Sequence, residues 1–277
     1  MLHGVGTPDF PADVFRAQLK FLNRFFRIVP LQDVCECENS NQDARPRVAL
    51  TFDDGLRNNF TAAYPVLREF NAPATFFVCP GLVESQCWLW NHECRERLSW
   101  LPDEQRQHFG KRLGLGVFEV ETIISHLKAM SRAGRLEAEK ELRELTMDFR
   151  PTDSQRQQFD IMTWKELTAL DQKLITIGGH STNHEILTRL DSEHLESEVA
   201  GCKRLLEHKL GNEVRHFCYP DGAYNNVVRE CVRRHFRTAV TTKSGWIRPQ
   251  PSLLELPRIP IASNLPDLAW RMNRPSA

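Results

Sequence analysis

The sequence lacks a net charge: 36 Lys and Arg stand against 36 Asp and Glu. That balance leaves no electrostatic footprint for nucleic acid or an anionic membrane surface. The sequence also lacks a run of roughly 18 apolar residues, so no segment reads as a transmembrane helix. "MLHGVGTPDF" lacks the basic start and long apolar stretch of a secretory leader, and a cytoplasmic location is the expectation. Internal repeats and low-complexity tracts are missing too. Cysteine is not scarce: Cys35, Cys37, Cys79, Cys87, Cys94, Cys202, Cys218 and Cys231 are scattered over 277 residues. A chain this long needs no staples to build a core, so free thiols are expected. Cys87, His92 and Cys94 could hold a metal, although their spacing is not that of a zinc finger.

What is present is an alternation of strand and helix patterns. "MLHGV", "RVALTF", "ATFFV", "LITIGG", "VRHFCY", "TAVTT" and "ELPRIPI" read as strands. Between them, "PADVFRAQLKFLNRFF" repeats apolar residues at helical spacing, and "DSEHLESEVAGCKRLLEHKLG" carries a stripe of Leu195, Val199, Cys202 and Leu206. Acids fill the first turns of the second helix and Gly211 lies just past its end. Strands alternating with helices predict an α/β fold, a parallel sheet covered by helices, open or closed into a barrel. About residues 82–158 the rhythm breaks into polar, helical patterns. We read that stretch as a helical insertion within one domain spanning 1–277. It leaves the frame on the side of the site, so it should cover part of the mouth. Trp88 and Trp90 near its start are candidates for stacking on a bound ligand or for a core.

Two stretches carry chemistry. "ALTFDDG" sets Asp53 and Asp54 side by side at a strand terminus, where two ionised carboxylates repel unless a cation is near. "GGHSTNHEIL", after another strand, holds His180 and His184 four apart, and a turn of helix would bring both imidazoles to one side. Two neutral nitrogens and one carboxylate make a facial ligand set for a divalent cation, with positions left open. A second acid beside the metal can then serve as a base, which is what hydrolysis of an unactivated amide or ester requires. A third stretch, "RHFCYPDGAYN", makes a tight turn whose N–H groups could face an oxyanion.

"TFDDG", "HSTNH" and the "YPDG" turn, in this order and spacing, resemble the first three motifs of the polysaccharide deacetylases, the NodB-homology group or carbohydrate esterase family four. The likeness covers nearly the whole chain outside the helical insertion. It implies a distorted (β/α)7 barrel, like a triosephosphate isomerase barrel, with the site at the C-terminal ends of the strands. It further implies Asp53 as catalytic base and Asp54, His180 and His184 as ligands of one divalent metal, zinc by expectation. Tyr219, Asp221 and Gly222 become the oxyanion and substrate candidates.

Two departures from the family pattern matter. Cys218 and Asp221 occupy positions where the third motif often has arginine and tyrosine, so the usual arginine partner of the base is missing. Arg258 in "LPRIPI" is the candidate substitute, and a branch of the family has a similar stretch. No histidine follows His235, so the general acid of the last motif is missing as well. His3, at the end of the first strand pattern, is the candidate in its place, and a similar histidine occurs in branches without the last-motif one. Imidazole changes charge near neutral pH, as a proton donor must. His92, His108, His126, His194, His208 and His235 read as helical or surface residues and His216 as part of a barrel wall. The resemblance implies hydrolysis of the N-acetyl group of an amino sugar in a glycan or its precursor, with a carbohydrate as partner. Alternatives are a deformylase or non-sugar amidase on the same metal site, and a glycan-binding protein without activity.

Overall fold

The computed structural model describes residues 1–35 and 44–273. Its frame is β1 (Arg27–Ile28), β2 (Arg47–Val48), β3 (Leu50–Phe52), β4 (Ala74–Val78), β5 (Ile175–Gly179), β6 (His216–Cys218) and β7 (Thr238–Val240). β1 pairs with β2, and the other five form one sheet in the order β3-β4-β5-β6-β7, parallel throughout. Each crossover thus returns the chain beside the strand it left, so successive strands are neighbours. All residues of β3, β4, β6 and β7 are buried. Sheets covered on both faces show this pattern, and it is why these strands read as near-continuous apolar runs.

The sheet curls into a distorted barrel. Two of the seven expected strands are only single bridges: Leu2 lies beside Phe52 and Leu256 beside Val240. Gly4 and Gly6 weaken one ladder, and Pro257 and Pro260 lack the N–H that would continue the other. These two outer segments meet each other. The Met1 nitrogen donates to Ile259 O and Ile261 N–H donates to Met1 O, each at 3.0 Å. "RVALTF" is not one strand, because it changes partners at Ala49: Arg47 and Val48 pair with β1, and Leu50 onward with β4.

Helices cover this frame. Ala12–Phe25 buries Phe15, Leu19 and Leu22, and the Phe15 ring meets Phe52 edge-on at 5.8 Å. Ser192–Leu210 buries Leu195, Val199, Cys202 and Leu206, the expected stripe. Asp191 caps its start by accepting from His194 N–H, and Gly211 ends it at φ 72°. Each large apolar side chain buried this way contributes about 1.5–3 kcal/mol.

Between β4 and β5 run Trp90–Trp100, Asp103–Arg112, Val120–Ala129, Arg132–Leu145 and Asp153–Phe159. The first four share an apolar cluster of their own, which includes Leu98, Phe109, Ile123, Leu127 and Leu142. The chain returns against the "TFDDG" loop: Arg57 N–H donates to Asp160 O at 2.7 Å and Met162 N–H to Gly55 O at 3.0 Å. Cys94 is buried in the helical cluster while Cys87 is exposed, and the two do not converge with His92 on a ligand point among the described residues. Cys79, Cys87, Cys94, Cys202, Cys218 and Cys231 are free, and Cys37 lies outside the described residues. No described helix is long and apolar enough to cross a membrane.

Candidate active site

Asp53 and Asp54 leave the C-terminal end of β3, and both are buried. Asp54 sits at φ 74°, a left-handed conformation that sends the two side chains apart. Asp53 meets Arg258 in a two-pronged pair: Nη1 donates to Oδ1 at 2.6 Å and Nη2 to Oδ2 at 2.7 Å. The guanidinium also donates to Thr241 O, Thr51 Oγ1 and Cys218 Sγ, so all five N–H positions are used. Burial raises the Asp53 carboxyl, but the charge and hydrogen bonds of Arg258 outweigh it and hold the group at about 2. Arg258 thus reaches Asp53 from the segment after β7, past Cys218. A thiol is small enough to leave that path open.

Asp54 turns the other way. Its Oδ1 lies 3.4 Å from His180 Nε2 and 3.4 Å from His184 Nε2. Those separations exceed an ordinary hydrogen bond and suit ligands that share a small cation. The three ligand atoms lie within 4.8 Å of one another, and all three residues are buried. His180 Nδ1 is 2.7 Å from Cys218 O. A carbonyl only accepts, so Nδ1 carries a proton and Nε2 is the nitrogen turned to Asp54. Burial lowers the pKa of His184 and favours the neutral ring that ligation needs. Burial raises Asp54, yet His3, His180 and His184 outweigh it and hold the carboxyl well below the usual range.

No helical turn brings the histidines together. Residues 180–186 form an irregular loop, with Ser181 at φ 56° and His184 at φ 58°. His3 stands on the remaining side of Asp54, with Nδ1 3.5 Å from Oδ2 and its side chain half exposed. It is there because Leu2, its neighbour, bridges β3: Leu2 N–H donates to Thr51 O and Asp53 N–H to Leu2 O, each at 2.8 Å.

The third motif forms a short 3-10 turn, Pro220–Gly222, with Asp221 at φ 55°. Gly222 N–H donates to Tyr219 O at 3.0 Å, so it is not free to face an oxyanion. The Tyr219 ring is buried against Tyr224 and its hydroxyl donates to Leu254 O at 3.0 Å, away from the acids. Asp221 is exposed and pairs with Lys128 of the insertion.

Trp88, Trp90 and His92, all singled out in the sequence, lie near the site in places that the sequence did not specify. Trp90 is buried and its indole N–H donates to His184 O at 3.2 Å, so it is no platform for a sugar. Trp88 is half-buried and donates to Asp160 Oδ1 at 2.8 Å. His92, read as a surface residue, packs on Phe159 with ring centroids 4.9 Å apart. Its Nδ1 is buried with no partner among the described residues, and burial lowers its pKa to about 4. Only the folding of the insertion over the motifs brings these side chains in, and nothing local in the sequence signals it.

Comparison with known proteins agrees with this arrangement. The profile of a family described as polysaccharide deacetylase matches residues 40–240. The chain belongs to the polysaccharide deacetylase family. That membership makes it an enzyme of the deacetylase class. A curated Bacillus subtilis (strain 168) protein, YxkH, grouped by name with the polysaccharide deacetylases, is 20% identical over 98% of this chain and 73% of its own. Among solved structures, the Streptococcus pyogenes deacetylase PplD is similar with a TM-score of 0.62 and 20% identity, over 94% of this chain and 86% of that one. IcaB of Ammonifex degensii is similar with a TM-score of 0.56 and 17% identity, over 91% and 84%. At these identities the structural likeness speaks for the fold.

Proposed function

We propose that this member of the family hydrolyses the N-acetyl group of an amino sugar in a glycan or glycan precursor, with one Zn2+ held by Asp54, His180 and His184. The observation that carries the metal reading is the position of Asp54 Oδ1, 3.4 Å from both imidazole Nε2 atoms. Two ligands at about 2.0–2.1 Å on one tetrahedral zinc stand about 3.3 Å apart, so the residues fit that ion with little movement. When bound, the cation supplies a Lewis acid that polarises the acyl carbonyl and acidifies water.

The chain's own groups divide the remaining work. Asp53 takes a proton from the attacking water. Arg258 fixes the Asp53 carboxylate in plane and holds it ionised, ready to accept. The new C–O bond forms first and leaves a tetrahedral oxyanion; the acyl C–N bond then breaks as a proton reaches the departing nitrogen. His3 is the donor in this reading, because it is half exposed beside Asp54. The Asp221 N–H is the oxyanion donor, since that of Gly222 is already committed to Tyr219 O. Acetate and a free amine leave.

The test is acetate release from N-acetylglucosamine oligomers by zinc-loaded protein, with Asp53→Asn beside it. We expect Asp53→Asn to keep its zinc and lose about 100-fold or more in turnover. An Asp53→Asn protein that loses the metal would reverse the roles given to the two acids. Wild-type protein that binds zinc but releases no acetate would leave the metal assignment standing and sink the substrate.

A further inference from the structure

The two histidines of the site are held in different ways. The His180 ring is fixed by a hydrogen bond from its own Nδ1 to Cys218 O. The His184 ring has no such tie, because its Nδ1 is buried with no protein partner among the described residues. A metal-binding imidazole ordinarily donates its second nitrogen to a neighbour that sets its orientation. For His184 the orientation must come from the backbone. That backbone is at φ 58°, a conformation that costs a non-glycine residue about 1–3 kcal/mol and persists only where the surroundings enforce it.

The enforcing groups lie in the helical insertion. Trp90 N–H donates to His184 O at 3.2 Å. The next residue, Glu185, is buried and accepts from Arg135, with Arg132 Nε at 3.3 Å on its other oxygen. Arg135 is buried too, pairs with Glu139, and lies over the Trp90 ring at 4.5 Å. Ile186 packs into the insertion's apolar cluster. Three consecutive residues of the second motif, 184 to 186, are therefore gripped by insertion side chains through a backbone hydrogen bond, an ion pair and apolar contact.

We propose that the insertion is a clamp for the metal site, and that Trp90 and Glu185 are positioning residues which set the zinc affinity of His184. This rests on the metal reading above. Trp90→Phe removes the indole N–H and keeps a ring under Arg135. Arg97→Ala serves as the control. It removes contacts of the same helix, to Glu93 within it and to Thr146 at the end of Arg132–Leu145, without touching the second motif.

The measurements are Zn2+ affinity by competition with a chelator and the melting temperature of each metal-free protein. We expect both variants to melt slightly lower. Trp90→Phe alone should bind Zn2+ about 10-fold more weakly or worse, the effect usual for removing such a support. Zn2+ affinity that falls equally in both variants, or stays at the wild-type value in Trp90→Phe, overturns the clamp. Should Trp90→Phe fail to fold, Glu185→Gln carries the same expectation, and a wild-type affinity there overturns it equally. Wild-type protein that takes up no Zn2+ would overturn the metal reading itself, and the clamp with it.

Discussion

His3 sits at the open side of Asp54, with its Nδ1 3.5 Å from Oδ2, while both imidazoles of the second motif address Oδ1. A group that must hand a proton to a departing amine needs contact with both the buried acids and the incoming substrate. His3 lies beside Asp54, and its half-exposed side chain leaves it open to a molecule arriving from solvent. His3→Ala should lose about 100-fold or more in acetate release from the zinc-loaded protein, with zinc content and circular dichroism unchanged. Turnover close to wild type would remove His3 from proton transfer. A second residue-scale arrangement links Cys218 and Arg258. The small thiol stands where related sequences often have arginine, and the guanidinium arrives from another segment to fill that role beside Asp53.

At the scale of elements, the loops that follow the strands carry the candidate site and hold the strain. Asp54, Ser181, His184 and Asp221 all have positive φ without being glycine. Such positions need rigid support, and the sheet below and the insertion above both provide it. The third-motif turn is the tightest of these. Gly222 sits at φ 67°, and a Cβ there would lie 2.0 Å from Thr242 Oγ1 and 2.9 Å from Thr242 Cβ. Rotating Thr242 moves the oxygen but not its own Cβ. Gly222→Ala should therefore destabilise the fold by about 2–5 kcal/mol, from left-handed strain together with overpacking. Urea denaturation reads this directly, and an unchanged midpoint would mean that the turn relaxes without loss.

At the scale of the molecule, the metal should act as a link between parts that are far apart in sequence. Its proposed ligands come from the loop after β3 and the loop after β5, and the insertion lies between them in the chain. Zinc at about 100 times its dissociation constant adds about 2.7 kcal/mol to stability. For a chain of this size that is a rise of about 5–10 °C in melting temperature. Chelator should reverse the rise, and the His180→Ala/His184→Ala double variant should lack it. A zinc-dependent shift that survives in the double variant would place the ion elsewhere.

The sequence alone determined what depends on neighbours along the chain. The apolar stripe of Ser192–Leu210, its Asp191 and Gly211 ends, and the core strands β3 and β4 follow from local periodicity and capping. The acid pair and the histidine pair were legible because each is short and unusual for a surface loop. The resemblance implied which acid faces which partner, and the tertiary structure supplies the physical means, a left-handed φ at Asp54. Tertiary structure also brought Arg258 to Asp53 across 205 residues of sequence and set His3 beside Asp54, since both depend on how the outer segments of the barrel close. The grip of Trp90 and Arg135 on the second motif depends on where four helices pack as a body. Local propensity fixes the form of each helix; its place against the barrel comes from burial of apolar faces, a property of the whole chain at once.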